Sequence, residues 1–282
     1  MEFVKIVGPL ILAFIMFSLG IGLSIKNFEG IIKKPKDFFV GAFSQVILFP
    51  LLALSLALIF PLPLEIKVGL ILLAAAPGGV TTNIISKIAD GDVALSITLT
   101  AAISLLSFLT IPIIFSLTYP IISGENLPFS YSIGNVIIKI FLITTVPVII
   151  GMICKVLFSN FFFKTEKFFI NFSFILFLIF LIVAIINEID NISGYFKSSG
   201  VVTLILNITV IIAAFFLCKI FKIANKQKKT ILIETGLQNG TLALVVTGII
   251  FSNPIYLVPI ATYSLIMYAI IFMYILLLKF IN

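Results

Sequence analysis

Residues 229–250 read KTILIETGLQNGTLALVVTGII, an apolar run that is interrupted in its middle by ETGLQNGT at positions 234–241. These eight residues include a carboxylate, two amides, two hydroxyls and two glycines. The apolar run at residues 64–89 is interrupted in a similar way, by APGGVTTN at positions 76–83. Pro77 lacks a backbone N–H, and glycine is unfavourable inside a helix. Both stretches therefore predict broken helices.

The composition of the chain predicts that these breaks lie in a membrane protein. Of 282 residues, 61% are hydrophobic and 10% are charged, whereas soluble domains are about 45–50% apolar and about 25% charged. This excludes a water-soluble protein and predicts one all-α polytopic membrane domain over residues 1–282, with about nine transmembrane helices. The predicted spans are 4–25, 38–60, 64–89, 93–117, 133–157, 168–186, 199–221, 229–250 and 255–280.

Lysine placement predicts the orientation. All of the 18 basic residues are lysines, and all but Lys5, Lys67, Lys139 and Lys197 fall on one side of the predicted topology. A lysine excess marks the cytoplasmic side, so the N-terminus is predicted outside and the C-terminus in the cytoplasm, in a multi-pass protein of the cell membrane. Because the lysines cluster between apolar runs, the net charge of +7 does not indicate nucleic-acid binding.

Glu234 is the one acid that lies well inside a predicted span. A carboxylate there is costly unless it is paired or coordinated, and no lysine is placed at the same depth. Its oxygen-bearing neighbours suit a hard cation such as sodium. Paired interrupted segments are typical of the binding site of a secondary transporter. A protonated Glu234 with a purely structural role is the alternative.

Other polar residues in apolar runs have simpler interpretations. Ser96 and Thr100 lie four residues apart, and therefore on one helix face, after the first break. Gln45 and Asn207 are lone amides, which commonly hydrogen-bond between helices. Asp92 marks a predicted cytoplasmic turn and is placed to cap the helix that follows.

Both breaks carry a family resemblance. Residues 76–83, GDVALS at 91–96 with Thr98 and Thr100, and ETGLQN at 234–239 resemble the bile acid:sodium symporter family, bacterial-type members included. The resemblance implies core and panel domains, two broken helices that cross, and inverted repeats of four and five spans. The first repeat would be residues 1–120, without its leading helix, and the second residues 130–282.

The same resemblance implies two sodium sites that share Glu234. The first would use Thr82, Asn83, Ser96, Thr100 and Glu234. The second would use Gln45, Glu234, Gln238 and the backbone carbonyls of Thr235 and Leu237.

The implied substrate is an organic anion near the crossing, a small carboxylate such as those associated with bacterial-type relatives. The residues predicted to bind it are Thr81, Asn239, Gly240 and Asn207. The last span lacks the histidine of some relatives, and Met267 and Tyr268 occupy that region.

These observations predict sodium-coupled import of a small organic anion by alternating access. Two alternatives stay open: a proton-coupled transporter or exporter, in which Glu234 titrates, and a non-transporting membrane receptor. An intramembrane enzyme would need paired aspartates, a Ser/His arrangement or a zinc motif. No histidine and no intramembrane Asp pair occur, so the chain is predicted not to be an enzyme. The lipid bilayer is an expected partner, and the oligomeric state is not predicted.

Overall fold

The computed structural model describes residues 2–127, 131–186, 194 and 196–281. Every element named in these ranges is helical, and their one β-type pairing is an isolated antiparallel bridge between Gly78 and Gln238. The predicted all-α class is therefore confirmed for the described residues. Residue 130, where the second repeat is predicted to begin, lies outside them.

The helices follow the predicted apolar runs closely. Short helical turns at Ile25–Phe28, Glu29–Lys33 and Pro254–Leu257 lie between them. The principal helices are α1 (Glu2–Gly22), α2 (Pro35–Ile59), α3 (Leu64–Ala75), α4 (Thr81–Ile88), α5 (Val93–Ser123), α6 (Ile133–Leu157), α7 (Ser159–Ile186), α8 (Val201–Ile220), α9 (Asn225–Gly236), α10 (Gly240–Ile250) and α11 (Val258–Ile281).

Five helices in the described ranges are long and apolar enough to cross a membrane: α2, α5, α6, α8 and the segment Pro254–Leu276. A sixth is reached if Val7–Gly22 and Ile25–Lys33, which are bent by 87°, form one span. The chain is therefore a multi-pass membrane protein. Helices α3, α4, α9 and α10 have only 12, 8, 12 and 11 residues, against about 20 for a full span. The total of nine stays a prediction.

Helix α7 begins at Ser159, earlier than the predicted start at residue 168. The additional turns contain charged residues, which lie outside the apolar run. Only Phe158 separates α6 from α7, and the Lys155 ammonium lies 3.1 Å from the Glu166 carboxylate across this hairpin. The charged turns therefore continue the helix at the lysine-rich end of the molecule.

A π-helical turn at Ser44–Leu48 interrupts α2. Its cause is local, because Pro50 has no N–H to donate to the carbonyl of Val46 and its ring crowds that carbonyl. The turn contains Gln45, which is buried and only 1% exposed. Such π turns frequently occur at functional sites.

Helix α1 packs against α6 and α7, and its contact with α6 depends on two glycines. A Cβ atom on Gly20 would lie 2.1 Å from the carbonyl oxygen of Val148, and one on Gly151 would lie 2.3 Å from that of Phe17. Real Cβ atoms do not approach backbone this closely. The two helix backbones are therefore in direct contact, as at the small-residue interfaces of other membrane helices.

Candidate functional site

The two broken segments contact each other through their backbones. The first break separates α3 from α4, and the second separates α9 from α10. The Asn239 N–H donates to the carbonyl oxygen of Pro77 at 2.8 Å, and the Gly79 N–H donates to that of Leu237 at 3.3 Å. Polar backbone groups exposed by a break must find partners within a membrane protein. Here each break provides partners for the other.

Glu234 lies in α9 one turn before this crossing and is 0% exposed. Its Oε1 atom is 2.5 Å from the Thr82 hydroxyl and 3.0 Å from the Thr100 hydroxyl. It also accepts a hydrogen bond from Ser96. Three helices, α4, α5 and α9, thus bring oxygen atoms to one point.

The second carboxylate oxygen of Glu234 faces α2 and the first break. Oε2 lies 3.1 Å from the Thr100 hydroxyl and 3.4 Å from Nε2 of Gln45. The Gln45 Oε1 atom in turn accepts the Gly78 N–H at 3.1 Å. A Cβ atom at Gly78 would lie 2.6 Å from Oε2, so glycine is required for the carboxylate to reach the break.

The remaining residue predicted for the first sodium site does not touch the carboxylate directly. Asn83 accepts a hydrogen bond from the Ser96 hydroxyl at 2.9 Å, through its Oδ1 atom. The residues predicted for this site are therefore brought together, with Asn83 linked through Ser96. Among the ion pairs found in the described residues, none involves Glu234. A buried carboxylate that is surrounded by hydroxyl oxygens and has no basic partner in the described residues has the composition that suits a hard cation.

The residues predicted for the second sodium site form an adjacent group at the second break. Nε2 of Gln238 donates to the carbonyl oxygen of Thr235 at 2.8 Å. The Oε1 atom of Gln238 is buried without a hydrogen-bond partner. Buried polar atoms nearly always have partners, so this acceptor is unusual among the described residues. Gln45 connects the two groups, because its Nε2 atom contacts the Glu234 carboxylate. The Leu237 carbonyl accepts a hydrogen bond from the Gly79 N–H.

A narrow cleft lies beside the crossing, between its two helix starts and the side of α7. Thr81, Asn239 and Gly240 line it, at the first residues of α4 and α10, and Phe174 and Phe177 form an apolar wall. None of the lining residues is charged. The cavity volume of about 50 Å³ is far below the roughly 300–1,000 Å³ of ligand pockets. This conformation is therefore closed to a metabolite.

Tyr268 of α11 also lines this cleft and was not among the predicted site residues. Its hydroxyl lies 3.1 Å from that of Thr81. The sequence offered one indication of this role, because Tyr268 lies in the region where some related proteins have a histidine. Asn207, in contrast, is absent from the cleft: its Nδ2 atom donates to the Gly236 carbonyl at 2.9 Å and to the Tyr263 hydroxyl at 2.8 Å. Asn207 therefore fastens α8 to α9, as the simpler interpretation of a lone amide predicts.

A second polar cluster joins α5 and α9 at their lysine-rich ends. Asp92 caps α5, as predicted, by accepting the Leu95 N–H at 3.1 Å. Its other oxygen contacts the Lys34 ammonium at 3.1 Å and the Gln227 amide at 2.8 Å. The Asp92 N–H donates to the Thr230 hydroxyl at 2.8 Å. The starts of α5, which carries Ser96 and Thr100, and of α9, which carries Glu234, are thus joined.

This cluster predicts a pH-dependent stability. Burial raises the pKa of Asp92, but the Leu95 N–H, Gln227 and Lys34 together lower it below its ordinary value. Ionised Asp92 therefore stabilises the fold above about pH 4, and this contribution is lost as the pH falls through the lower folded-state pKa. We expect Asp92→Asn to reduce the free energy of unfolding at pH 7 by about 1 kcal/mol. The deficit should shrink below about pH 4.

Unfolding of the purified protein from pH 7 to pH 3 measures this difference. Asp90→Asn is the matched control, because it makes the same change at an exposed position two residues away. A deficit of equal size at every pH would contradict the assigned role of the Asp92 charge.

Long apolar helices, together with a buried polar centre where two broken helices meet, define a multi-pass membrane protein with an internal site. The chain belongs to the Sodium Bile acid symporter family, whose sequence profile matches residues 9–195. Members of this family are transporters rather than enzymes, and sodium is the ion that the family name couples to transport. The predicted membership and the predicted absence of enzymatic function are confirmed.

Individual relatives support this family membership. The sodium-dependent transporter YocS of Bacillus subtilis is 31% identical over 262 residues, which are 90% of this chain and 77% of that protein. A probable chloroplastic sodium/metabolite cotransporter of Oryza sativa is 25% identical, over 89% of this chain and 58% of its own length. The human ileal sodium/bile acid cotransporter is 34% identical over 51% of this chain and 40% of its own. The chain thus spans less than two thirds of the plant and human proteins.

Proposed function

We propose that the protein is a symporter that uses sodium to drive uptake of a small organic anion, a carboxylate, by alternating access. The observation that carries the proposal is the buried Glu234 carboxylate, which is surrounded by the hydroxyls of Thr82, Ser96 and Thr100 and has no ion-pair partner in the described residues. A sodium ion there would neutralise the carboxylate. The family and the bacterial relative support sodium as the coupled ion.

We assign two sodium ions to this centre. The hydroxyls with Asn83 and Glu234 would hold the first. Gln45, Gln238 and the carbonyls of Thr235 and Leu237 would hold the second, and the unpartnered Oε1 atom of Gln238 supports this assignment. Because Glu234 borders both groups, the two ions would share its single negative charge. Sodium binding would also fix the crossing next to the cleft.

We place the cargo in the cleft beside the crossing. Helices α4 and α10 begin there, and the positive dipole end of a helix attracts anions without a basic side chain. The apolar wall from α7 suits a short carbon skeleton. Thr81, Asn239, Gly240 and Tyr268 supply the polar contacts. Because the cavity is narrow, α7 and the crossing have to separate before a carboxylate enters.

The proposed architecture has nine spans if each broken pair counts as one. In both parts of the chain, a broken pair precedes a long helix: α3 and α4 precede α5, and α9 and α10 precede α11. This order supports inverted repeats at residues 1–120 and 130–282. Helices α1, α6 and α7 would form the panel, and the remaining helices the core. The lysine-rich ends would face the cytoplasm of a cell with this protein in its cell membrane.

Thermal unfolding with and without sodium tests the proposal. We expect NaCl to raise the melting temperature of the purified protein by a few degrees relative to KCl of equal concentration, because an ion that binds only the folded state stabilises it. A carboxylate cargo should add a further rise in NaCl and none in KCl. Proteoliposomes then measure uptake of that carboxylate under a sodium gradient.

Two outcomes would contradict sodium-coupled transport. Uptake driven by a pH gradient in sodium-free buffer would identify the proton-coupled alternative. Sodium-dependent binding of a carboxylate without any accumulation in proteoliposomes would identify a receptor.

A further inference from the structure

A second cavity lies at the lysine-rich end of the molecule, away from the crossing. It is an open groove of about 820 Å³ between the turn that follows α1 and the α6–α7 hairpin. Leu23, Ile25, Met152, Val156 and Phe163 give it a mostly apolar lining. Several of these side chains face outward, with Ile25 79%, Val156 74% and Phe163 85% exposed. The groove therefore opens on an apolar outer surface of the molecule.

The rim of this groove is polar and positively charged. Lys26 and Lys155 line it together with Ser159 and Asn160. Ser159 begins α7, a helix of 28 residues, and the first N–H groups of a helix favour an anion. Lys164 and Lys167 follow within the first turns of α7, and Glu166 is the one acid in that stretch. The rim thus combines excess positive charge with a helix start.

We propose that this groove binds an anionic phospholipid. The headgroup phosphate lies at the rim, between Lys26 and Lys155, and one acyl chain occupies the apolar groove below it. Charge complementarity favours an anionic over a zwitterionic lipid, and basic pockets between membrane helices bind such headgroups. The apolar lining distinguishes a lipid from a free phosphate ion, which would gain nothing from it. This site is separate from the proposed sodium and cargo sites and does not depend on them.

Glu166 allows a test in which a substitution should strengthen, and not weaken, the binding of an anionic lipid. Its carboxylate lies 3.1 Å from the Lys155 ammonium and competes with a phosphate for that charge. Removing the carboxylate should therefore strengthen anionic lipid binding, whereas removing the two lysines should abolish it. If the ion pair had a purely structural role, Glu166→Gln would instead lower the stability of the protein and leave its lipid preference unchanged.

The experiment measures the melting temperature of the full chain in detergent with added phosphatidylglycerol, phosphatidylcholine or inorganic phosphate. We expect phosphatidylglycerol to raise the melting temperature by at least about 3 °C more than phosphatidylcholine does, and inorganic phosphate to have no effect. This preference should disappear in Lys26→Ala/Lys155→Ala and increase in Glu166→Gln. Lys219→Ala/Lys226→Ala removes two exposed lysines outside the groove and should retain it.

Three results would overturn the proposal. The first is an equal response of the native chain to both phospholipids. The second is a response to inorganic phosphate as large as that to phosphatidylglycerol, which would assign the rim to a free anion. The third is an unchanged lipid preference in Lys26→Ala, a single change at an exposed residue that leaves the Lys155–Glu166 pair intact.

Discussion

Replacing Glu234 by glutamine is expected to abolish sodium-driven uptake and to remove the sodium-dependent rise in melting temperature. Glutamine keeps the size of the side chain and can still hydrogen-bond with Thr82, Ser96 and Thr100, but it has no charge to offer a cation. Removing one charge of a buried pair costs roughly 2–5 kcal/mol. Sodium affinity should therefore fall by at least about 30-fold.

The same substitution should leave the sodium-free protein folded. Without a cation, a buried carboxylate is costly, so the melting temperature of Glu234→Gln in KCl should equal or exceed that of the native chain. Glu125→Gln makes the identical chemical change at an exposed residue and should preserve sodium binding and uptake. Sodium-dependent stabilisation that persists in Glu234→Gln would show that the ion binds elsewhere.

Replacing Gly151 by alanine is expected to be the most destabilising single-methyl change in α6. The new Cβ atom would lie 2.3 Å from the carbonyl oxygen of Phe17 and 3.0 Å from the backbone nitrogen of Ile21. Backbone atoms cannot rotate away as a side chain can, so α1 and α6 would have to separate. Overpacking typically costs about 1–3 kcal/mol, and this contact should lie at or above the upper end, about 3 kcal/mol.

Gly134 provides the control within the same helix. A Cβ atom there meets nothing within 4 Å, and alanine is the better helix former. Gly134→Ala should therefore change the free energy of unfolding by less than about 1 kcal/mol. Both variants can be compared by thermal unfolding in one detergent. Equal melting temperatures for Gly134→Ala and Gly151→Ala would refute the direct backbone contact between α1 and α6.

The breaks and the anomalous acid could be predicted because their signals are local. Pro77, the glycines and Glu234 interrupt apolar runs whose composition identifies them as membrane helices. The cap at Asp92 was predicted for the same reason, since a capping residue lies next to the helix that it caps. The convergence of α4, α5 and α9 on Glu234 is different: hydrophobic periodicity contains no distance information between helices, and the family resemblance supplied that grouping.

Several features could not be read from the sequence. The π turn at Gln45 follows from Pro50, but a proline in a membrane helix can also produce a simple kink. The close approach at Gly20 and Gly151 needs both helices to be in place. The early start of α7 was missed because charged residues such as Lys164 ended the predicted apolar run, although a helix can continue beyond the lipid. Tyr268 is an ordinary aromatic residue until the fold brings it to Thr81.

The bonds at the crossing of the two breaks have a consequence for how such a protein can diversify. They join main-chain atoms of Pro77, Gly79, Leu237 and Asn239, so most substitutions at these positions leave the bonding groups in place. The side chains that we propose to bind sodium lie on one flank of this junction, and Thr81 and Tyr268 lie in the cleft on another. Mutations on the cleft flank can accumulate without dismantling the junction, so descendants of one ancestral chain could exchange one cargo for another while inheriting an unaltered ion centre.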